Sequence, residues 1–422
     1  MTGTMLIVLR SLRQHALSTA VTVLSTALAC GLVMAVFSVK TQTHDAFTGG
    51  PVGFDAVLGG RGSQLQLVLN TVFHLETSPG NIPWKMYQDV AKRPQVALAI
   101  PYAVGDNYKG YRIVGTSEEL FTKFEYQEGK KFRIRGNGKI FDPDLRESVI
   151  GSYVAQKTGL HEGSKFKPFH GFAYDPSAEH PAEYVVVGVM EPTNSPSDRV
   201  VWIPIKGVWM MPGHYTNKGG TVEGERYAPK PNEEIPDEDK EVSAVMLKFN
   251  SPQEGMNLSG IINSQGNRAT LAWPIGKVMA DLFEKIGWMD KVLEMVAYLV
   301  VAVAAGSILA SIYNTMNERR REFAILRALG ARRGTVFSII VMEAATISAL
   351  GSALGFVVYG IIIGVAAVIV RDQTGVVLDP GQYHPVLIYG PLGMIVIGSL
   401  AGLVPAFKAY GTDVATNLVP AT

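Results

Sequence analysis

Cysteine is almost absent: the chain has one, Cys30, inside an apolar run. One cysteine makes neither an internal disulfide nor a Cys-rich zinc site, so any part outside the reducing cytoplasm must fold by burial alone. Charge is also scarce, at 18% Asp, Glu, Lys and Arg in 422 residues, where ordinary soluble domains carry about a quarter. No sign dominates, since the net charge is +1. That excludes the strongly basic face of a nucleic-acid-binding domain and the acidic, apolar-poor composition of a disordered chain. A phosphate-binding Gly-x-x-x-x-Gly-Lys-Ser/Thr loop is missing. The nearest string, Gly159 to Lys165, has the wrong spacing, and Gly59-Gly60-Arg61-Gly62 reads as a turn. A Gly-x-Ser-x-Gly nucleophile turn is missing too. If ATP drives this protein, another chain binds it.

What the sequence has in plenty is long apolar runs. The first, about Ala16 to Val39, contains no Asp, Glu, Lys or Arg. Its length of about 36 Å as a helix crosses a bilayer core with some tilt. It exceeds a leader's apolar segment and is read as a span rather than a cleaved signal. Three more follow, at about Val292–Met316, Thr335–Val370 and Val386–Phe407. Orientation follows from Lys and Arg near the span ends. Arg10 and Arg13 precede span one, Lys408 follows span four, and Asn317–Gly334 holds six arginines. The Arg-rich segment is therefore expected in the cytoplasm with both termini, and residues 41–290 outside.

That outer stretch is long enough for its own core and mildly acidic. Runs such as Val96–Pro101, Tyr111–Gly115, Tyr184–Val189, Val200–Ile205 and Ser243–Phe249 read as strands. Trp84–Lys92 and Gln253–Ser264 read as helices. Gln64–His74 fits either. Lys218–Glu241, with its acidic run, reads as a solvated loop. From Ile275 the helical spacing continues into span two. The expected fold is an integral-membrane protein of four transmembrane helices with a large mixed α/β domain between the first and second. Its parts are 1–40 (an N-terminal cytoplasmic helix and span one), 41–290 (the outer domain) and 291–422 (spans two to four).

The most specific feature is Glu318-Arg-Arg-Arg-Glu322-Phe-Ala-Ile-Leu-Arg327-Ala-Leu-Gly330-Ala. Arg320–Leu329 reads as a short amphipathic helix, with Gly330 suited to end it. Charge alone leaves open an anchor lying on lipid headgroups. The residues themselves resemble the hallmark segment of MacB/FtsX/LolC-type (type VII) ABC transporter permeases. The layout is similar to theirs as well, and so are Glu343 with Gly351 and Gly355 in span three and Pro405-Ala-Phe-Lys-Ala409 at the end of span four. The outer domain resembles the MacB-like periplasmic core more loosely, through Ser148–Gly151, Gly159–Gly163 and Val185–Val189. It departs from that core in the insertion Phe166–Pro181 and the acidic loop near Glu233.

The resemblance implies a permease subunit in the bacterial inner membrane, not an enzyme itself. It implies a partner ABC ATPase that binds ATP and Mg2+, with no cofactor in this chain. A coupling helix near 318–331 would dock on that ATPase through Glu318, Arg320, Arg321, Glu322, Phe323, Ile325, Leu326, Arg327, Leu329 and Gly330. It further implies a second permease copy or a similar chain, contact with membrane lipid, scope for a periplasmic partner, and no nucleic acid. ATP-driven motion would reach the outer domain by mechanotransmission, to export or extract a lipid, lipoprotein, peptide or drug. The alternative is FtsX-like signalling, in which the outer domain regulates a periplasmic hydrolase without transport.

Glu343 lies within span three, where a carboxylate is costly and needs a partner. The resemblance favours a structural bond near the coupling segment over a proton relay. No metal site is expected. The candidates are His161, His170 and His180, but their spacing matches no compact ligand motif and their segment reads as a loop.

Overall fold

The structure is a computed structural model that describes residues 3–48, 53–171, 179–211, 234–264 and 268–410. In chain order the elements are α1 (Gly3–Gln14), α2 (Ala16–Thr48), β1 (Ala56–Gly60), α3 (Gln64–Thr71), β2 (Ile82–Pro83), α4 (Trp84–Ala91), β3 (Val96–Tyr108), β4 (Tyr111–Thr116) and α5 (Glu119–Thr122). Then come β5 (Glu147–Ile150), α6 (Ser152–Thr158), β6 (Lys165–Phe166), β7 (Phe169–His170), β8 (Tyr184–Val189), β9 (Val201–Pro204), α7 (Ile205–Trp209), β10 (Glu241–Val242) and β11 (Ala244–Phe249). The last are α8 (Pro252–Ile262), β12 (Ala269–Ala272), α9 (Ile275–Glu318), α10 (Arg320–Ala328), α11 (Arg333–Thr374) and α12 (Val386–Tyr410). They form two compact units. One is helical (residues up to 43, 286–369 and from 378); the other is α/β (44–285 and 370–377).

In the helical unit, α2, α9, α11 and α12 are long and apolar enough to cross a membrane. Its α1 and α2 are separated at His15, and α10 ends just before Gly330. Gly330 has φ +98°, a conformation open to glycine. Its N–H donates to the carbonyl of Arg327, and that of Ala331 to the carbonyl of Leu326. This pair of bonds closes α10 in the Schellman manner. Elsewhere glycine allows close approach between helices. A Cβ on Gly351 would stand 2.5 Å from Cβ of Thr26, one on Gly355 3.0 Å from Cβ of Cys30, and one on Gly402 2.6 Å from Cβ of Ala344. Small residues let helix backbones close on one another where lipid provides no hydrophobic drive.

The α/β unit is built on a ten-stranded mixed sheet among the described residues, in the order β12-β1-β11-β3-β4-β9-β5-β8-β6, with β7 paired to β3. Strands expected from the β-branched runs are all present. Gln64–His74 resolves as a helix over Gln64–Thr71, because Leu67 and Val68 pack inward against the core holding Val57, Phe73 and Trp202. The sheet's long strand, β3, carries a bulge at Gly105: Val104 faces Val114, but Asp106 faces Ile113. The extra residue shifts the alternation by one. Asp106 therefore shares a face with Ala103 and Ile113, over the core of Ile150, Tyr184 and Ile203. The loop Thr193–Asp198 is tied by the buried Asp198 carboxylate, which accepts from the N–H groups of Thr193 and Asn194 at 2.9–3.0 Å.

Of the acidic loop expected at Lys218–Glu241, residues 218–233 lie outside the described residues. The insertion Phe166–Pro181, expected as a loop, is in part a strand. Phe169–His170 pairs antiparallel to β3, with Asp106 opposite His170 and Asn107 opposite Phe169. Glu294, whose carboxylate reads from sequence as simply solvated, accepts from Lys40 Nζ at 2.7 Å.

Candidate functional site

The segment rich in arginine folds as α10, with the single residue Arg319 between it and the end of α9. Its inner face holds buried Phe323 and Ala324, with Leu326 and Arg327 half-buried. Phe323 packs among Val8, Leu12, Met316, Val336 and Ile340. The other face carries Arg320, Arg321, Glu322, Ile325, Ala328 and Leu329, all exposed; Glu318 and Gly330 are exposed too. Residues 321, 325, 328 and 329 lie at helical spacing along one stripe. Leu329 is 80% exposed and Ile325 44%. Two apolar side chains are thus offered outward between charges, on a helix fixed from behind by Phe323.

Arg319, just before α10, is the residue that sequence reasoning passed over. It is 5% exposed. Its Nε donates to Glu322 Oε2 at 2.8 Å, and its Nη1 to Ser11 Oγ at 2.5 Å. Its guanidinium also lies over the ring of Phe323. Ser11 Oγ donates to Glu343 Oε1 at 2.7 Å, and Arg319 Nη1 stands 3.7 Å from Glu343 Oε2. Arg319, Ser11 and Glu343 therefore join α1, the start of α10 and α11 in one buried polar knot. Burying a charge costs several kcal/mol unless it is paired and bonded, which accounts for the convergence of these groups. The run of three arginines carries no signal of which, if any, turns inward.

In the α/β unit, a cavity of about 160 Å³ is lined by Thr71, His74, Tyr102, Asn194, Ser195 and Met246, among others. Thr71 Oγ1 and His74 Nδ1 are enclosed without a bonding partner. Burial, together with the positive charges of Arg112 and Arg199, holds the His74 imidazole down at about 3. Arg112 is buried beside Asn70, whose Oδ1 accepts from it, and burial lowers its affinity for a proton as well. This volume holds a few waters rather than a bulky substrate.

The three histidine candidates separate. His161 is exposed, its Nδ1 2.9 Å from the carbonyl of Glu162. His170 and His180 meet: their rings are 4.4 Å apart, and both reach Asp106. Asp106 lies 64 residues before His170 and was not a sequence candidate.

Four apolar helices, an α/β domain inserted between the first two, and an outward-facing amphipathic helix define a multi-pass membrane protein of the permease type. Residues 19–252 match the model of the MacB-like periplasmic core domain, and residues 294–414 that of the FtsX-like permease C-terminal region. The chain belongs to the MacB/LolC/FtsX family of ABC transporter permeases, multi-pass proteins of the inner membrane. A relative from Neisseria meningitidis serogroup B, the lipoprotein-releasing system transmembrane protein LolC, is 27% identical over 30% of this chain and 30% of its own. The macrolide export ATP-binding/permease protein MacB of Nitrobacter winogradskyi is 28% identical over 28% of this chain and 17% of its own. The matches thus span under a third of either relative. The periplasmic region of MacB from Actinobacillus actinomycetemcomitans aligns with 56% of this chain and 94% of its own, at 12% identity and a TM-score of 0.32. The extracellular domain of the transporter YknZ from Gram-positive bacteria aligns with 51% and 99%, at 14% identity and 0.29.

Proposed function

We propose that this chain is the permease subunit of an ABC transporter whose ATP and Mg2+ are bound by a separate ATPase subunit. In this reading the chain hydrolyses nothing itself. Two permease chains sit on two ATPases, α10 lies on the cytoplasmic side with both termini, and the α/β domain is periplasmic. Closure of the ATPases pushes on α10, and the knot of Arg319, Ser11 and Glu343 carries the push into α1 and α11. Helix α9, unbroken from Ile275 to Glu318, is the rod that takes it to the outer domain, by mechanotransmission. The cargo class is a lipid, lipoprotein, peptide or drug, moved from the periplasm or outer leaflet. The relatives named for lipoprotein release and macrolide export fall in that class.

The observation that carries the reading is the outward stripe of α10. An apolar pair between charges, held on a rigid support, fits a groove in a protein partner. An Arg-rich lipid anchor would turn its apolar face to the membrane, and here Phe323 packs on the protein. The test uses the chain purified from native membranes with its partners. Ile325→Asp with Leu329→Asp is expected to lose the copurifying ATPase and stimulated ATP hydrolysis, with the melting temperature unchanged. An ATPase still bound and stimulated by that double variant would sink the docking model. Glu322→Lys and Arg327→Glu are expected to uncouple hydrolysis in the same way. A periplasmic hydrolase in the complex, with no cargo moved, would turn the reading to FtsX-like signalling.

A further inference from the structure

We propose that Asp106, His170 and His180 form a binding site for one divalent transition-metal ion, with Zn2+ the best fit. The inference is independent of the transport reading. One ligand atom from each residue lies within 4.8 Å of the others. His170 Nδ1 is 2.9 Å and His180 Nε2 3.3 Å from Asp106 Oδ1. Ligand atoms about 2.0–2.1 Å from a tetrahedral zinc stand roughly 3.3 Å apart, close to both imidazole–carboxylate distances here.

Backbone structure places the three groups. The bulge at Gly105 turns Asp106 onto the face it shares with Ala103 and Ile113. The direct pairing of Asp106 with His170 sets the first imidazole opposite it. A bond from the His180 N–H to the carbonyl of Pro168, at 2.8 Å, brings in the second. Asn107 Nδ2 donates to the carbonyl of Gly171 at 2.7 Å, just beyond β7. Asp106 and His180 are each 2% exposed, whereas His170 remains open to solvent. The cluster therefore has a dry base and one side that solvent reaches.

Ligand chemistry selects the ion. Two imidazoles with one carboxylate suit zinc and its first-row neighbours, while Mg2+ and Ca2+ require oxygen. The bound ion would join β7 and His180 to β3. Without an ion, the same geometry serves as two histidines bonded to one carboxylate, and the experiment separates the two.

The full-length chain, stripped of metal in lipid nanodiscs, is titrated with ZnCl2 by calorimetry. X-ray absorption at the zinc edge then reads the ligands. The expected result is one tight Zn2+ per chain with two imidazoles in its shell, no uptake of Mg2+ or Ca2+, and a higher melting temperature with zinc. Asp106→Asn and His170→Ala should each weaken binding by more than the 10–100-fold typical of outer-shell changes. His170 is partly exposed, so its variant keeps the fold testable by its melting curve without metal. His161→Ala should bind as the parent does. Absence of tight zinc binding, or binding that survives Asp106→Asn and His170→Ala, would overturn the site and leave a hydrogen-bonded cluster only.

Discussion

The α/β unit leaves few large apolar side chains uncovered, among them Leu75, Leu145, Met256 and Ile261. The helical unit leaves Leu299, Val303, Ile361, Val368, Leu400 and Phe407 bare, with many others. In the first, water is the solvent and apolar burial drives the fold. In the second, lipid is the solvent, and what holds the helices is close packing and polar contact. The difference explains where each unit spends its polar groups. The α/β unit closes aromatic cores around Trp202 and Phe121 and scatters ion pairs such as Lys165–Glu183 over its surface, where each is worth little. The helical unit draws Arg319, Ser11 and Glu343 together at one point, where it also ends one helix and begins another.

Breaking the polar knot should have the largest effect. Arg319→Ala leaves the Glu343 carboxylate buried with Ser11 alone, at an expected cost of about 3–5 kcal/mol. Arg319→Met combined with Glu343→Leu removes both charges and should recover most of that. Thermal unfolding of the full chain in detergent would check it; equal damage from the single and the double variants would mean that shape, not charge, holds the junction.

Overpacking comes next. A Cβ on Gly351 would already press on Thr26, while Gly306 on α9 has nothing within 4 Å. Gly351→Leu is expected to cost about 1–3 kcal/mol, and Gly306→Leu close to nothing, in the same melting experiment.

The smallest effect sharpens the other side of the comparison. In the α/β unit His74 is held neutral in the fold, down at about 3, whereas the unfolded chain binds its proton near pH 6.5. Its contribution is complete above about pH 6.5 and is lost as pH falls toward 3, by at most about 1.4 kcal/mol per pH unit. The side chain is only partly enclosed, so the slope should be shallower than that limit. His74→Asn keeps the positive φ of 56° accessible. It should flatten the acid limb of the stability curve between pH 6.5 and 4, followed by near-UV circular dichroism. An unchanged acid limb would show that other groups control it.

The four spans, the strands β3, β4, β8, β9 and β11 of the α/β unit and the α10 helix with its glycine stop were legible in the chain. Each is written in consecutive residues: an uncharged run, an alternation, a 3.6-residue repeat ended by Gly330. Where local patterns tie, packing decided. Gln64–Thr71 became a helix because Leu67 and Val68 found the core, and Phe169–His170 became a strand because β3 offered an unpaired edge beyond its bulge. The three histidines looked alike in sequence, yet only two were carried to a carboxylate.

By itself, then, the sequence determined the membrane-spanning architecture and the class of permease, since solvent preference and motif residues act within one segment. Tertiary structure alone decided that Arg319 turns inward to meet Ser11 and Glu343, 308 residues before it and 24 after. It alone decided that Asp106 meets His170 and His180. Such meetings depend on strand register, a bulge and helix crossings, in which residues far apart along the chain become neighbours. No local pattern records them.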